Sequence, residues 1–177
     1  MKSAYLTIMA VLCVNLAACA TTIKHEYTWS EYEIAAGRVT AAADMGAGHE
    51  VRILKGQSNA STKMLGSIGP HNYYGTEENL TDGMAYQLSK ELQKLKFVVA
   101  ESAGKTLELA VIRSGNAQGM WKTAALLDFT VKFGDGKVKT YSVRNSSPGT
   151  VPRAFDGAVA LAVIEVLNDP EVLAYLK

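Results

Sequence analysis

Between residues 121 and 133 apolar and polar positions alternate almost without a break. Trp121, Thr123, Ala125, Leu127, Phe129, Val131 and Phe133 fall on one side, and Lys122, Asp128, Thr130 and Lys132 on the other. A period of two sustained over that length predicts a strand with one buried and one wet face. Gly134-Asp135-Gly136 then predicts a tight hairpin into a strand over 137–144, because glycine tolerates the positive φ that such turns require. Upstream, Leu107, Leu109 and Val111 alternate with small or polar neighbours up to Arg113, so the three strands predict an antiparallel meander.

Two other stretches carry the helical period. Leu80, Met84, Leu88, Leu92 and Leu95 recur every three or four residues, with Lys90, Glu91 and Lys94 between them. That is an amphipathic helix from Asn79 to about Lys94, with Thr76 or Asn79 as its cap. Pro152 opens a second helix, striped by Phe155, Val159, Ala162, Val163 and Val166. It ends at Asn168-Asp169-Pro170, where Asp169 caps a further short turn and Pro170 stands in the first helical position. Short apolar runs at 51–54 and 97–99 complete the strands, while 58–75, holding Gly66, Gly69 and Pro70, predicts a loop. Residues 51–177 therefore predict one α+β domain. Its mostly antiparallel sheet has about four to five strands and two main helices on one face, in the order β-α-β-β-β-β-α. The first strand–helix–strand unit is the one place where a parallel crossover is expected.

The first fifty residues follow a different logic. Lys2 precedes an apolar run from Leu6 to Leu16, and the small residues Ala17, Ala18, Cys19 and Ala20 follow. A charged start, a short apolar core and small residues make a secretory leader, and the run is too short to span a bilayer. Leu16-Ala17-Ala18-Cys19 resembles the lipobox of bacterial lipoproteins, in which the cysteine thiol is acylated and the leader, here residues 1–18, is removed. Several acyl chains on one residue make a stable anchor where a single chain does not. Ala20, in the place where Asp tends to retain lipoproteins at the inner membrane, resembles an outer-membrane signal. The rival readings are a plain cut after Ala18-Cys19-Ala20, releasing a soluble periplasmic protein, and an inner-membrane anchor. Residues 19–50 are expected to be a lipidated terminus and flexible tether, because the run 35–48 is small and unpatterned. Within it, Ile23, His25, Tyr27 and Trp29 could alternate as an edge strand.

Charge narrows the partners. Lys and Arg number 18 against 17 Asp and Glu, and the leader removes Lys2 with no acid, so the mature chain is formally neutral. Nucleic acid would require a strongly basic face, so no nucleic-acid partner is expected. The two cysteines are Cys13 in the leader and Cys19, which leaves none for a disulfide.

Candidate chemistry is sparse. His25-Glu26 and His49-Glu50 lack the second histidine of a helical zinc motif, and a histidine beside a glutamate is more often a surface pair than a ligand. Ser102-Ala103-Gly104-Lys105 matches Ser-x-x-Lys by letter, but falls in a predicted turn rather than opening a helix. Gly46-Ala47-Gly48 does not extend to a dinucleotide fingerprint, and Asp135 is a turn residue first. No catalytic residue, cofactor or metal is expected. Tyr73 and Tyr74 form a candidate partner surface, since aromatics anchor interfaces, while the strand face of Trp121 points to core packing.

The order of elements resembles the YajG-like family of small bacterial lipoproteins. The resemblance is carried by residues 80–97, 106–113, 123–141 and 152–177, the last running from Ala-Phe-Asp-Gly into Val-Leu-Asn-Asp-Pro-Glu. It implies an envelope location and a fold, with no catalytic residues. Residues 21–50 depart from it: a plainer, more proline-rich tether is expected there, and the aromatic run 27–32 has no counterpart. The same order resembles small domains of envelope-assembly lipoproteins, some of which form rings or activate wall synthases. The leading expectation is a non-enzymatic outer-membrane lipoprotein that binds an envelope protein or peptidoglycan. Alternatives are a hydrolase acting on wall or lipid, signalled by His71, a serine and an acid converging, and a self-assembling structural subunit.

Overall fold

The structure is a computed structural model and describes residues 22–119 and 122–177. The leader, Cys19, Ala20 and Trp121 lie outside the described residues.

The first long helix, α1 (Glu77–Lys94), forms where the period of three and four requires it, and Leu80, Met84, Leu88 and Leu92 are buried along its inner stripe. Thr76 is the cap, its hydroxyl accepting from Asn79 N at 2.9 Å, and Glu77 and Glu78 in the first turn suit the positive end of the helix dipole. Lys96 ends the helix by turning left-handed at φ 71°, so that Lys96 N reaches Gln93 O and Phe97 N reaches Leu92 O. This pair of bonds is a Schellman stop, here without the usual glycine.

The larger sheet contains β2 (Glu50–Lys55), β5 (Val98–Val99), β6 (Thr106–Gln118), β7 (Thr123–Phe133) and β8 (Val138–Ser147), in the order β5-β2-β6-β7-β8. The expected crossover is present: β2 runs parallel to both β5 and β6, and the β6–β7–β8 meander is antiparallel. On β7 the odd positions from Thr123 to Phe133 are buried, while Lys132 faces solvent and pairs with Glu108, and Asp128 pairs with Arg113. Gly136 closes the β7–β8 hairpin at φ 91°. Two further helices, α2 (Val151–Asn168) and α3 (Pro170–Leu176), begin at the caps Thr150 and Asp169. The apolar stripes of α1 and α2 share one core with the buried face of the sheet, which includes Leu107, Leu109, Leu127, Phe129 and Phe155. The α+β architecture stands.

Two expectations are corrected. The stretch 58–75, expected to be a loop, contains β3 (Lys63–Ile68) and β4 (His71–Gly75), an antiparallel hairpin turning at Gly69-Pro70. A register shift between Met64 and Gly66 breaks the alternation that would have revealed these strands. β1 (Ile23–Glu26) adds to β4 in parallel and completes a second sheet, ordered β1-β4-β3.

The flexible tether is the other correction, since residues 22–50 are packed onto the domain. Tyr27 is 1% exposed, and Trp29, Ile34, Val39 and Met45 pack against the core. Gly46 N donates to Leu95 O at 2.8 Å, and a side chain on Gly46 would collide with Phe97. The small residues of this run let backbone approach the helix end closely. They do not make a spacer.

Candidate functional site

Strand alternation sends the two expected surface aromatics in opposite directions. Tyr73 stacks on His25 with ring centroids 5.0 Å apart and packs against the core, whereas Tyr74 has Lys24 over its ring at 5.9 Å. Both tyrosines are half-buried. Tyr74 lines a groove of about 520 Å³ with Lys24, Glu26, Thr62, Thr76 and Asn79, at the flank of the small sheet beside the start of α1.

Buried polar contacts fasten this sheet to the domain. Glu77 is 3% exposed, and its Oε1 accepts from Ser114 N at 3.2 Å, from Ser114 Oγ at 3.1 Å and from Lys63 Nζ. Lys63 also donates to Ser114 O at 2.7 Å, so one carboxylate ties β3, β6 and α1 together. Burial alone would raise the Glu77 pKa, but the bonds from Lys63 and Ser114 outweigh it and hold the group below its ordinary value. On the other side Asp156, in α2, accepts from Tyr27 Oη at 2.8 Å and Ser30 N at 3.0 Å. Burial dominates there and pushes the Asp156 pKa up, and burial together with the neighbouring carboxylate pushes the Tyr27 phenol up as well.

The packed N-terminal segment also creates a cleft that sequence reasoning missed. Two hollows of about 340 and 250 Å³ meet at Tyr32 and Asn145, one edged by Arg153 and the other by Arg38 and Glu33. The second is floored by Gly157, Ala160, Leu161 and Ile164 on α2. Asn145 is held by a bond from its Nδ2 to Ala154 O at 2.9 Å, and a side chain on Gly157 would collide with it. An apolar floor with guanidiniums at the rim suits binding of an amphipathic group. The aromatic run 27–32 was the one signal of this cleft in the sequence.

The remaining candidates do not converge. His71 Nδ1 lies 2.8 Å from His25 Nε2, one ring donating to the other, and no serine or acid completes a relay with His71 among the described residues. Ser102 and Lys105 sit in the turn before β6, and His49 lies against Phe97. Among the described residues no group of three or more His, Cys, Asp or Glu side chains could hold a metal ion.

Fold and site together define an α+β domain of two sheets whose polar side chains serve mainly as fasteners around an open groove and a cleft. No family model matches the chain. No curated protein matches it either. Among solved structures, protein XCC0632 from Xanthomonas campestris, described as DUF330, is similar with a TM-score of 0.54 at 13% identity, over 86% of this chain and 95% of that one. The fold is therefore one already seen in a bacterial protein. Lipoprotein GNA1162 from Neisseria meningitidis is also similar, with a TM-score of 0.38 at 12% identity, over 68% of this chain and 99% of that one.

Proposed function

We propose that this chain is a bacterial envelope lipoprotein, held at the outer membrane by acyl chains on Cys19, whose domain binds another envelope component without catalysing a reaction. The observation that carries the reading is Leu16-Ala17-Ala18-Cys19, its cysteine four residues before Ile23, the first sheet-bonded residue among the described ones. Among the described residues no helix is long and apolar enough to cross a membrane, and acyl chains on one thiol would supply the attachment. The YajG-like resemblance supports the same placement, and Ala20 supports the outer membrane. The binding role is supported by the Tyr74 groove and the Tyr32 cleft, while His71, Glu77 and Asp156 are engaged with His25, Lys63 and Tyr27.

The test is the intact mass and fractionation of protein purified from its native envelope. The expected result is a terminus at Cys19 with added acyl mass, recovery in the outer-membrane fraction, and release to the soluble fraction by Cys19→Ala. An unacylated terminus beyond Cys19 would overturn the anchor. For the binding role, a photocrosslinking residue at Tyr74 or Tyr32 is expected to give discrete adducts with an envelope protein or peptidoglycan. Adducts no different from those of the same residue at Asp135 count against it.

A further inference from the structure

The packing of residues 22–50 changes what an anchor at Cys19 would do. With a tether, the domain could take any orientation. Instead Ile23 is already bonded, its N–H donating to Pro70 O at 2.8 Å, and it stands opposite His71 in the sheet. Four residue steps, fully extended, reach at most about 14 Å. Whichever end of the domain carries Ile23 must then sit at the lipid surface.

That end can be traced. Ile23 and Ile68 both stand opposite His71, one on each side of β4, beside the Gly69-Pro70 turn. A hollow of about 220 Å³ joins Ile68 to Gly119, Lys122, Thr123, Pro148 and Gly149, so the β6–β7 connection and the β8–α2 turn lie at the same end. Ile23 is 42% exposed there, an apolar side chain with no protein partner over much of its surface. The opposite end is the β7–β8 hairpin, ten strand steps along β7 from Thr123, or about 33 Å away.

Charge follows the same axis. Residues 66–73, 115–126 and 144–153, the stretches nearest this end, contain Lys122, Arg144 and Arg153 and no acid. Lys63 and Arg113 are paired with acids, whereas no ion pair among the described residues includes Lys24, Lys122, Arg144 or Arg153. Glu26, the acid of β1, lies three rungs further in, opposite Tyr74. The far end carries both signs in pairs, Lys137 and Lys139 with Glu171 and Lys139 also with Asp169.

We propose that the Ile23, Ile68 and Gly69-Pro70 end rests on the bilayer, with Lys24 and Lys122 against the phosphates of anionic headgroups. The long strands then stand away from the membrane and carry the 134–136 hairpin outward. Such cations are drawn to an anionic lipid surface within a Debye length. The inference rests on the anchored reading above and adds an orientation to it.

The test uses the full acylated protein on vesicles of phosphatidylethanolamine and phosphatidylglycerol, since acylation leaves an introduced cysteine as its one free thiol. A fluorophore on Pro70→Cys or Lys122→Cys is expected to be quenched severalfold more by headgroup spin-labelled lipid than one on Asp135→Cys. Equal quenching at the two ends, on protein that floats with the vesicles, overturns the orientation. Protein that does not float overturns the anchor instead, so the two failures are distinguishable. With Lys24→Glu and Lys122→Glu combined, flotation is expected to persist while quenching at position 70 falls. Unchanged quenching overturns the headgroup contact.

Discussion

The hydroxyl of Tyr27 donates a 2.8 Å hydrogen bond to Oδ1 of Asp156, joining positions 129 apart in the chain. Both residues are buried, so this contact holds the N-terminal segment to α2 where water cannot substitute for either partner. Tyr27→Phe keeps the ring against Phe155 but removes one of the donors to Asp156. The expected loss is about 1–3 kcal/mol, the range for leaving a buried polar group short of a partner. Urea unfolding should show a lower midpoint at unchanged slope, and a variant as stable as the parent would sink the idea.

Asp156 carries a pH signature of its own. Burial raises its pKa above 3.8, against the opposing bonds from Ser30 and Tyr27. The folded state thus binds this proton more readily than the unfolded chain, and the contribution to stability falls as pH rises from about 3.8 through the folded value. Asp156→Asn keeps an oxygen acceptor and abolishes the charge. Subtracting its stability curve from the parent's should leave a difference that favours the variant increasingly across that window. A flat difference would remove the buried charge as the cause.

Glu77 should behave with the opposite sign. Its folded pKa is lowered from 4.5 because the bonds from Lys63 and Ser114 outweigh burial. Its contribution is fully present above about 4.5 and is lost as pH falls through the folded value. Glu77→Gln is expected to cost about 1–3 kcal/mol at neutral pH, with the gap to the parent closing in acid. Thermal unfolding from pH 3 to 7 measures it, and a gap that widens in acid contradicts the assignment.

Gly83 faces Trp29 so closely that an added methyl would lie 2.8 Å from Trp29 Cγ. In a bare helix, alanine would be favoured over glycine by up to about 1 kcal/mol. Here Gly83→Ala should destabilise instead, displacing Trp29 and exposing residues 22–50 to protease. In a Trp121→Phe background, Trp29 emission should shift to the red. A stabilised variant with unchanged emission would mean that the indole does not pack there.

The Tyr27–Asp156 and Gly83–Trp29 contacts also mark where reading the chain failed. β7 was legible because its alternation is the local imprint of one buried and one wet face, and α1 because Leu80, Met84, Leu88 and Leu92 repeat at the helical period. Gly134-Asp135-Gly136 announced its hairpin for the same local reason. β3 and β4 were not legible, since a register shift beside Gly66 and the short length of both strands leave no alternation to detect. The Tyr32 cleft left only the aromatic run 27–32 as a trace in the sequence, being walled by stretches more than a hundred residues apart. Tyr73 and Tyr74 were recognised as a pair of interest, yet their opposite directions followed only from the strand that holds them.

By itself, then, the order of side chains determined the α+β class, the meander, both long helices and the lipobox, because each depends on neighbours within a few turns or rungs. Tertiary structure alone decided that residues 22–50 belong to the domain. Tyr27, Trp29 and Gly46 are held there by Asp156, Gly83 and Phe97, and a contact made across the whole chain leaves no period in the segment that makes it.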